Sequence, residues 1–318
     1  MMGFINALPG AAAQGLIWGI MAIGIYITYK ILDIADLTVD GSFGTGGAVF
    51  VISMIDGRGI AVSMILAFVA GCLAGLATGL LHTFFGIPAI LAGILSQLGL
   101  YSVNLAILGG ANKPISDRKY PLLVNLKNIY PSFMVAIIFV IVIIGFLYWF
   151  FGTELGHALR ATGCNQAMAR ANGINTDTNK IIAIVLSNGL VALSGALLSQ
   201  WQGFADVGMG RGAIVIGLAA VIIGEVLFGK IFKNFALRLF GVACGSIVYY
   251  IVYTLVLRFL QRLNIKADWM KFFSALVVAI FLAVPYCKKK WRDNYGQKNR
   301  WAEIRKNPLQ EEKQDAEN

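Results

Sequence analysis

The chain has 318 residues, 58% of them hydrophobic and only 13% charged, with a mean hydropathy of +0.73. Water cannot be the solvent for most of it, because about a quarter of the residues in a soluble globular domain are charged. Its formal charge of +10 gathers partly beside the last apolar run, where anionic headgroups account for it, so nucleic acid is set aside as a partner. Long continuous apolar runs, rather than short alternating segments, exclude a β-barrel and predict an all-α, polytopic transmembrane helix bundle.

About nine spans are expected, at residues 11–32, 39–55, 60–85, 87–108, 131–151, 180–200, 213–228, 235–257 and 271–286. The second and seventh fall short of the roughly 20 residues needed to cross a hydrocarbon core. MMGFINALPG has no basic stretch before the first run, so no cleavable signal peptide is expected. Gly15 and Gly19 on the first span, and Gly71, Gly75 and Gly79 on the third, form bare stripes for close helix packing.

Residues 33–47, DIADLTVDGSFGTGG, carry Asp33, Asp36 and Asp40 with Gly41, Gly44, Gly46 and Gly47 at the start of a short span. Glycine-broken hydrophobic segments in transporters mark cavities where unwound backbone is tolerated. The plainer reading is a loop and helix start, with acidic residues favoured there by the helix dipole. Asp40, Gly41, Ser42 and Gly44 are candidates for a translocation path. On the fourth span Gln97, Tyr101 and Asn104 recur at helical spacing on one face. Ser187 and Ser194 share a face on a later span, with Asn188 adjacent. These polar residues either bond between helices or line a path for a polar solute, and Gln97, Tyr101, Asn104, Ser187 and Asn188 join the path candidates.

A polar insert, residues 152–179, interrupts the apolar runs. Asn165 is placed as an N-cap, residues 166–172 favour helix, and Gly173 stands where a left-handed C-cap belongs. A helix so short gains its stability by packing against something else, as a lever pressed into a soluble partner would. A second glycine-broken stretch, 203–217, follows, and Ala35-Asp36-Leu37 and Ala205-Asp206-Val207 introduce the two stretches. That likeness suggests duplicated halves.

Lys288, Lys289, Lys290 and Arg292 follow the last span and place the C-terminus in the cytoplasm. Counting back, the insert is inside, residues 109–130 and 201–212 are outside, and so is the N-terminus. Lys113, Arg118, Lys119 and Lys127 in one outside segment, and Arg258, Arg262, Lys266 and Lys271 in another, strain this order, being basic on the outside. The chain thus divides into a transmembrane domain, 1–287, and a basic-then-acidic tail, 288–318, expected to be disordered. Cys72, Cys164, Cys244 and Cys287 are scattered, and His82 and His157 form no HExxH, so no metal, cofactor or catalytic residue is expected.

The run Arg160-Ala161-Thr162-Gly163-Cys164-Asn165-Gln166-Ala167-Met168-Ala169-Arg170-Ala171-Asn172-Gly173-Ile174 resembles the cytoplasmic coupling segment of ABC importer permeases. The likeness is to the branched-chain amino acid and ribose permease superfamily, within it the tryptophan/tyrosine and uncharacterised-solute subgroup. Residues 36–43 and 210–225 resemble that subgroup too. The general signature opens Glu-Ala-Ala; here Arg160-Ala161-Thr162 stands at the start, and the Gly173-Ile174 close is kept.

The resemblance implies a permease subunit in a plasma or inner membrane that imports a small, amino-acid-like solute. Its partners would be cytoplasmic ATPase subunits, a second permease subunit (most simply a homodimer), an extracytoplasmic solute-binding protein and membrane lipids. Arg160, Ala161, Gly163, Asn165, Met168, Ala169, Arg170, Gly173 and Ile174 would couple to the ATPase. The chain has no GxxxxGK[ST] loop, so ATP would be hydrolysed in separate subunits. The alternative is a secondary transporter using Asp33, Asp36 or Asp40 as ion carriers.

Overall fold

A computed structural model describes residues 8–262 apart from 230 and 233, together with residues 272, 275, 276, 278, 279 and 283. The expected last span and the tail lie largely or wholly outside the described residues, as does the basic cluster after it.

The described elements are α1 (Leu8–Tyr26) with a π-helical turn at Ile27–Ile31, α2 (Val39–Ile55), α3 (Ile60–Thr83) and α4 (Ala89–Leu108). Then come β1 (Asn112–Pro114), α5 (Ile129–Phe150), α6 (Glu154–Cys164) and α7 (Gln166–Ala171). They are followed by α8 (Thr176–Gln202), β2 (Phe204–Asp206), α9 (Ala213–Phe228) and α10 (Phe235–Arg262). All belong to one compact unit, residues 1–270; in the second, 271–318, residues 272, 275, 276, 278, 279 and 283 are helical. Among the described residues six helices are long and apolar enough to cross a membrane: Leu8–Ile31, α3, α4, α5, α8 and Phe235–Arg258. The two shorter apolar helices, α2 and α9, are the second and seventh expected spans.

The core forms where small residues let backbones meet. Gly71 and Gly75 lie against Asn188 on α8, and a Cβ at Gly75 would come within 2.7 Å of the Ile184 carbonyl. Gly15 packs on Ile247 and Gly19 on Ala243, which joins α1 to α10. Gly46 and Gly195 bring α2 and α8 together, each against a backbone carbonyl of the other helix. With no hydrophobic drive between helices in lipid, this close approach is what holds such a bundle together.

Hydrogen bonds fix the relative heights. Ser194 donates to the Ile17 carbonyl (2.7 Å) and Ser187 to the Gly24 carbonyl (2.8 Å), so α1 and α8 run antiparallel. At the end of α1 the Ile31 carbonyl sits against Gly163 of the insert. From there residues 32–38 turn back without helix, through Asp33 at φ 57°, and are held by Leu37 against Gly93 of α4. Asp and Asn are among the few side chains that tolerate this left-handed conformation. α2 therefore starts well inside the bundle and runs away from the insert, to the turn before α3.

α9 starts at the same depth, beside Asp40, and runs the opposite way, ending with Glu225 bonded to Lys30 at the insert end (3.1 Å). At 1.5 Å per residue, α2 and α9 are each about 25 Å long, short of a hydrocarbon core of about 30 Å. The non-helical chain before each lies within the bundle, where its polar backbone can be satisfied. At the end away from the insert, β1 and β2 pair antiparallel (Asn112↔Asp206, Pro114↔Phe204) and tie the 109–128 loop to the 203–212 loop.

Candidate functional site

Two carboxylates organise the junction of the short helices. Asp36 Oδ1 accepts the Thr38 N–H (2.9 Å) at the start of α2. Asp40, one turn on, reaches across to the start of α9: Gly212 N–H donates to Oδ2 (2.8 Å) and Ile214 N–H to Oδ1 (2.9 Å). A carboxylate at a helix N-terminus satisfies orphan donors and opposes the positive end of the dipole. Asp40 is thus occupied as a cap on α9 and Asp36 in the turn that leads into α2, which disfavours their use as ion carriers.

Around Asp36 the polar residues of four helices form one network. Asn188 donates to Asp36 Oδ2 (2.6 Å) and to the Ile184 carbonyl (2.9 Å), and accepts from the Ser42 hydroxyl (2.6 Å). Thr38 and Thr78 hydroxyls meet at 2.7 Å, and Thr78 also donates to Ser96 (2.7 Å). Asn188, Ser42 and Ser187 are fully buried, and their bonds join helices.

The fourth-span residues separate. Asn104 is 1% exposed and Tyr101 43% exposed, while Gln97 is half-buried with its backbone near Gly41. The Asn104 amide donates to the Gly41 carbonyl (3.3 Å), beside Gly44, and its Oδ1 has no hydrogen-bond partner among the described residues. An orphaned buried acceptor is rare enough to require an explanation. Beside this, the Arg211 guanidinium lies 5.2 Å from the Tyr101 ring centroid, a cation–π contact on an exposed face of α4. Arg211 sits between Gly210 and Gly212 in the second glycine-broken stretch; that placement was its one sequence signal.

The insert is two helices, where one was expected. Thr153 caps α6, accepting the Gly156 N–H at 3.4 Å. Asn165 caps α7, accepting the Met168 N–H at 3.0 Å. Gly173, at φ 78°, closes α7, with Gly173 N–H to the Arg170 carbonyl and Ile174 N–H to the Ala169 carbonyl, both 3.0 Å. This double bond pattern is a Schellman close. Only Ala169 of α7 is buried, and Met168 is 61% exposed.

The insert is nonetheless firmly held at its base. Gly163 meets the π turn of α1, and Asn179 of α8 donates to Thr162 (3.1 Å). Arg170 bonds Thr176 (2.7 Å) and pairs with Asp177 (3.4 Å). Arg160 turns inward, over the Phe151 and Phe235 rings at 5.3 and 4.4 Å, and Ala161 beside it is half-buried. Among the described residues, no three His, Cys, Asp or Glu side chains gather as a metal site.

Residues 8–284 match the family described as "Branched-chain amino acid transport system / permease component". The chain belongs to this permease family. The permease is 39% identical over 283 residues to a tyrosine transport system permease protein of Clostridioides difficile, covering 89% of this chain and 91% of that one. It is 29% identical to an autoinducer 2 import system permease protein of Yersinia pestis, covering 84% of this chain and 73% of that one. A solved structure titled "PsaBC from Streptococcus pneumoniae in complex with Fab" shares the fold, with a TM-score of 0.53, 16% identity, and coverage of 89% and 95%. The apolar helices and the family together make the chain a multi-pass membrane permease.

Proposed function

We propose that the chain is the membrane-spanning subunit of an ATP-binding-cassette importer that moves a small, amino-acid-like solute into the cytoplasm. The observation that carries this reading is α7: a six-residue helix capped at both ends, rigidly based, and exposed on five of its six residues. Too short to persist by itself, and presenting Met168 outward, it is shaped as a part that docks into another protein. In this reading the insert is cytoplasmic, the ATPase is a separate subunit, and nine spans place the C-terminus on the same side. Motion of α7 reaches the bundle through Gly163 on the π turn of α1 and through Asn179 on α8.

The solute would pass near the junction of α2 and α9. Arg211 is suited to a carboxylate, Asn104 Oδ1 to an ammonium group, and the Tyr101 face to the body of the solute. The relatedness to a tyrosine transport permease supports an aromatic or similar amino acid. A second permease subunit against the exposed face of α4 would complete the path, and an extracytoplasmic binding protein would deliver the solute. The test is uptake of labelled tyrosine by proteoliposomes holding the permease and its ATPase. Uptake that needs ATP and ignores ion gradients supports the reading; uptake by the permease alone on an ion gradient overturns it.

A further inference from the structure

Where α1, α6, α9 and α10 meet at the insert end, two adjoining cavities of about 300 and 390 Å³ share Tyr26, Lys30 and Arg238 in their walls. Arg160 lines the second and Glu225 the first. Among the described lining residues three are cationic and one is anionic, and Glu225 is already bonded to Lys30 (3.1 Å). The cleft therefore holds positive charge without a matching carboxylate. None of these groups belongs to the cap network, to the Arg211–Tyr101 pair or to the exposed face of α7.

Its position in the helices gives its depth. Lys30 is in the last turn of the Leu8–Ile31 span, Glu225 in the last turn of α9, and Arg238 in the first turn of α10. All three helices end there, at the level where a spanning helix leaves the hydrocarbon. Leu227 on the end of α9, Ile231 in the turn after it, and Leu237 and Phe240 at the start of α10 are exposed, Ile231 to 70%. A free anion has no use for that apolar margin; a phospholipid uses both. Gly224 and Gly241 in the wall of the first cavity let α9 and α10 meet backbone to backbone, a Cβ at Gly224 coming within 2.6 Å of the Gly241 carbonyl, so the cavity sits directly on the α9–α10 seam.

We propose that this cleft binds the phosphate-bearing headgroup of an anionic phospholipid, with the acyl chains along the exposed apolar residues. Basic pockets between helix ends at a cytoplasmic membrane surface suit such headgroups. The lipid would bridge α1, α9 and α10 at the base of the insert, where Arg160 approaches from α6 on its Phe151 and Phe235 rings.

The test is native mass spectrometry of the full-length chain released from nanodiscs of equal phosphatidylglycerol and phosphatidylcholine. One phosphatidylglycerol should be retained in preference to phosphatidylcholine. The double variant Lys30→Gln/Arg238→Gln should lower that retention about 30-fold, from two basic residues near a membrane surface. Glu225→Gln, which frees Lys30, should tighten retention. A gain of binding does not arise from misfolding, so this variant decides the matter even if the double variant is poorly folded. The proposal is overturned if both lipids are held alike, or if Glu225→Gln leaves retention unchanged. It is also overturned if inorganic phosphate at equal concentration displaces the lipid, or if a bound ATPase subunit does.

Discussion

Gly173 allows the role of the insert to be tested by a change that removes no contact. Its φ of 78° lies in the left-handed region, yet a Cβ built there meets nothing within 4 Å. Substitution thus costs only backbone strain, about 1–2 kcal/mol for an L residue and at the upper end or beyond for a β-branched one. What is strained is the close of α7, with its two 3.0 Å bonds to the Arg170 and Ala169 carbonyls. That energy corresponds to about a 5–30-fold fall in the ratio of closed to open insert. Gly173→Val should leave membrane insertion unchanged and lower ATP-dependent uptake in proteoliposomes about fivefold or more. Gly173→Asn should keep most activity, because Asn tolerates the left-handed region. If Val transports like the wild type, or if Val and Asn fail equally, the closed α7 is not what transmits the ATPase stroke.

Asn188→Asp would set a second carboxylate beside Asp36 in place of a 2.6 Å bond, costing about 1–3 kcal/mol. Its thermal midpoint in detergent should fall, and Asp36→Asn in the same chain should restore it. Gly46→Ala would drive a Cβ into the Ala192 carbonyl, backbone that cannot yield, and should destabilise the fold by about 1–3 kcal/mol or more, seen as a lower thermal midpoint. Gly99→Ala, a helical position with open space around it, should be neutral or stabilising by about 0.5–1 kcal/mol. Arg211→Gln should raise the KM for uptake of an amino acid about tenfold, the order of one charge-assisted hydrogen bond. Arg211→Lys, which keeps charge but loses the guanidinium's fork of donors, should fall between.

What was legible in the sequence was local. Asn165 and Gly173 cap α7 because each acts on backbone within a few residues of itself, and their residue types announce it. The glycine stripes at Gly15/Gly19 and Gly71/Gly75/Gly79 announce bare helix faces, and those faces pack. The shortness of residues 39–55 and 213–228 was visible as well, although its meaning was not. That required knowing that residues 32–38 and 203–212 run to mid-bundle without helix.

The residues that escaped act at long range. Asp40 caps a helix that begins more than 170 positions later, and nothing near it in the chain marks that use. Gln97, Tyr101 and Asn104 share helical spacing, but burial separates them because α2 packs against only part of that helix. α6 was missed although Thr153 is followed by Glu154 and by apolar residues at helical intervals, because the neighbouring polar residues read as one insert. The β1–β2 ribbon joins three residues to three others across 90 positions, too little pattern for either strand to show by itself.

The most direct measurement is a photo-crosslink from a benzophenone amino acid placed at position 168 in the assembled transporter. If α7 docks into the ATPase, irradiation should join the permease to the ATPase subunit, with a yield that changes when nucleotide is bound. Label that reaches only lipid or water, or that reacts with a protein on the opposite face of the membrane, would contradict it.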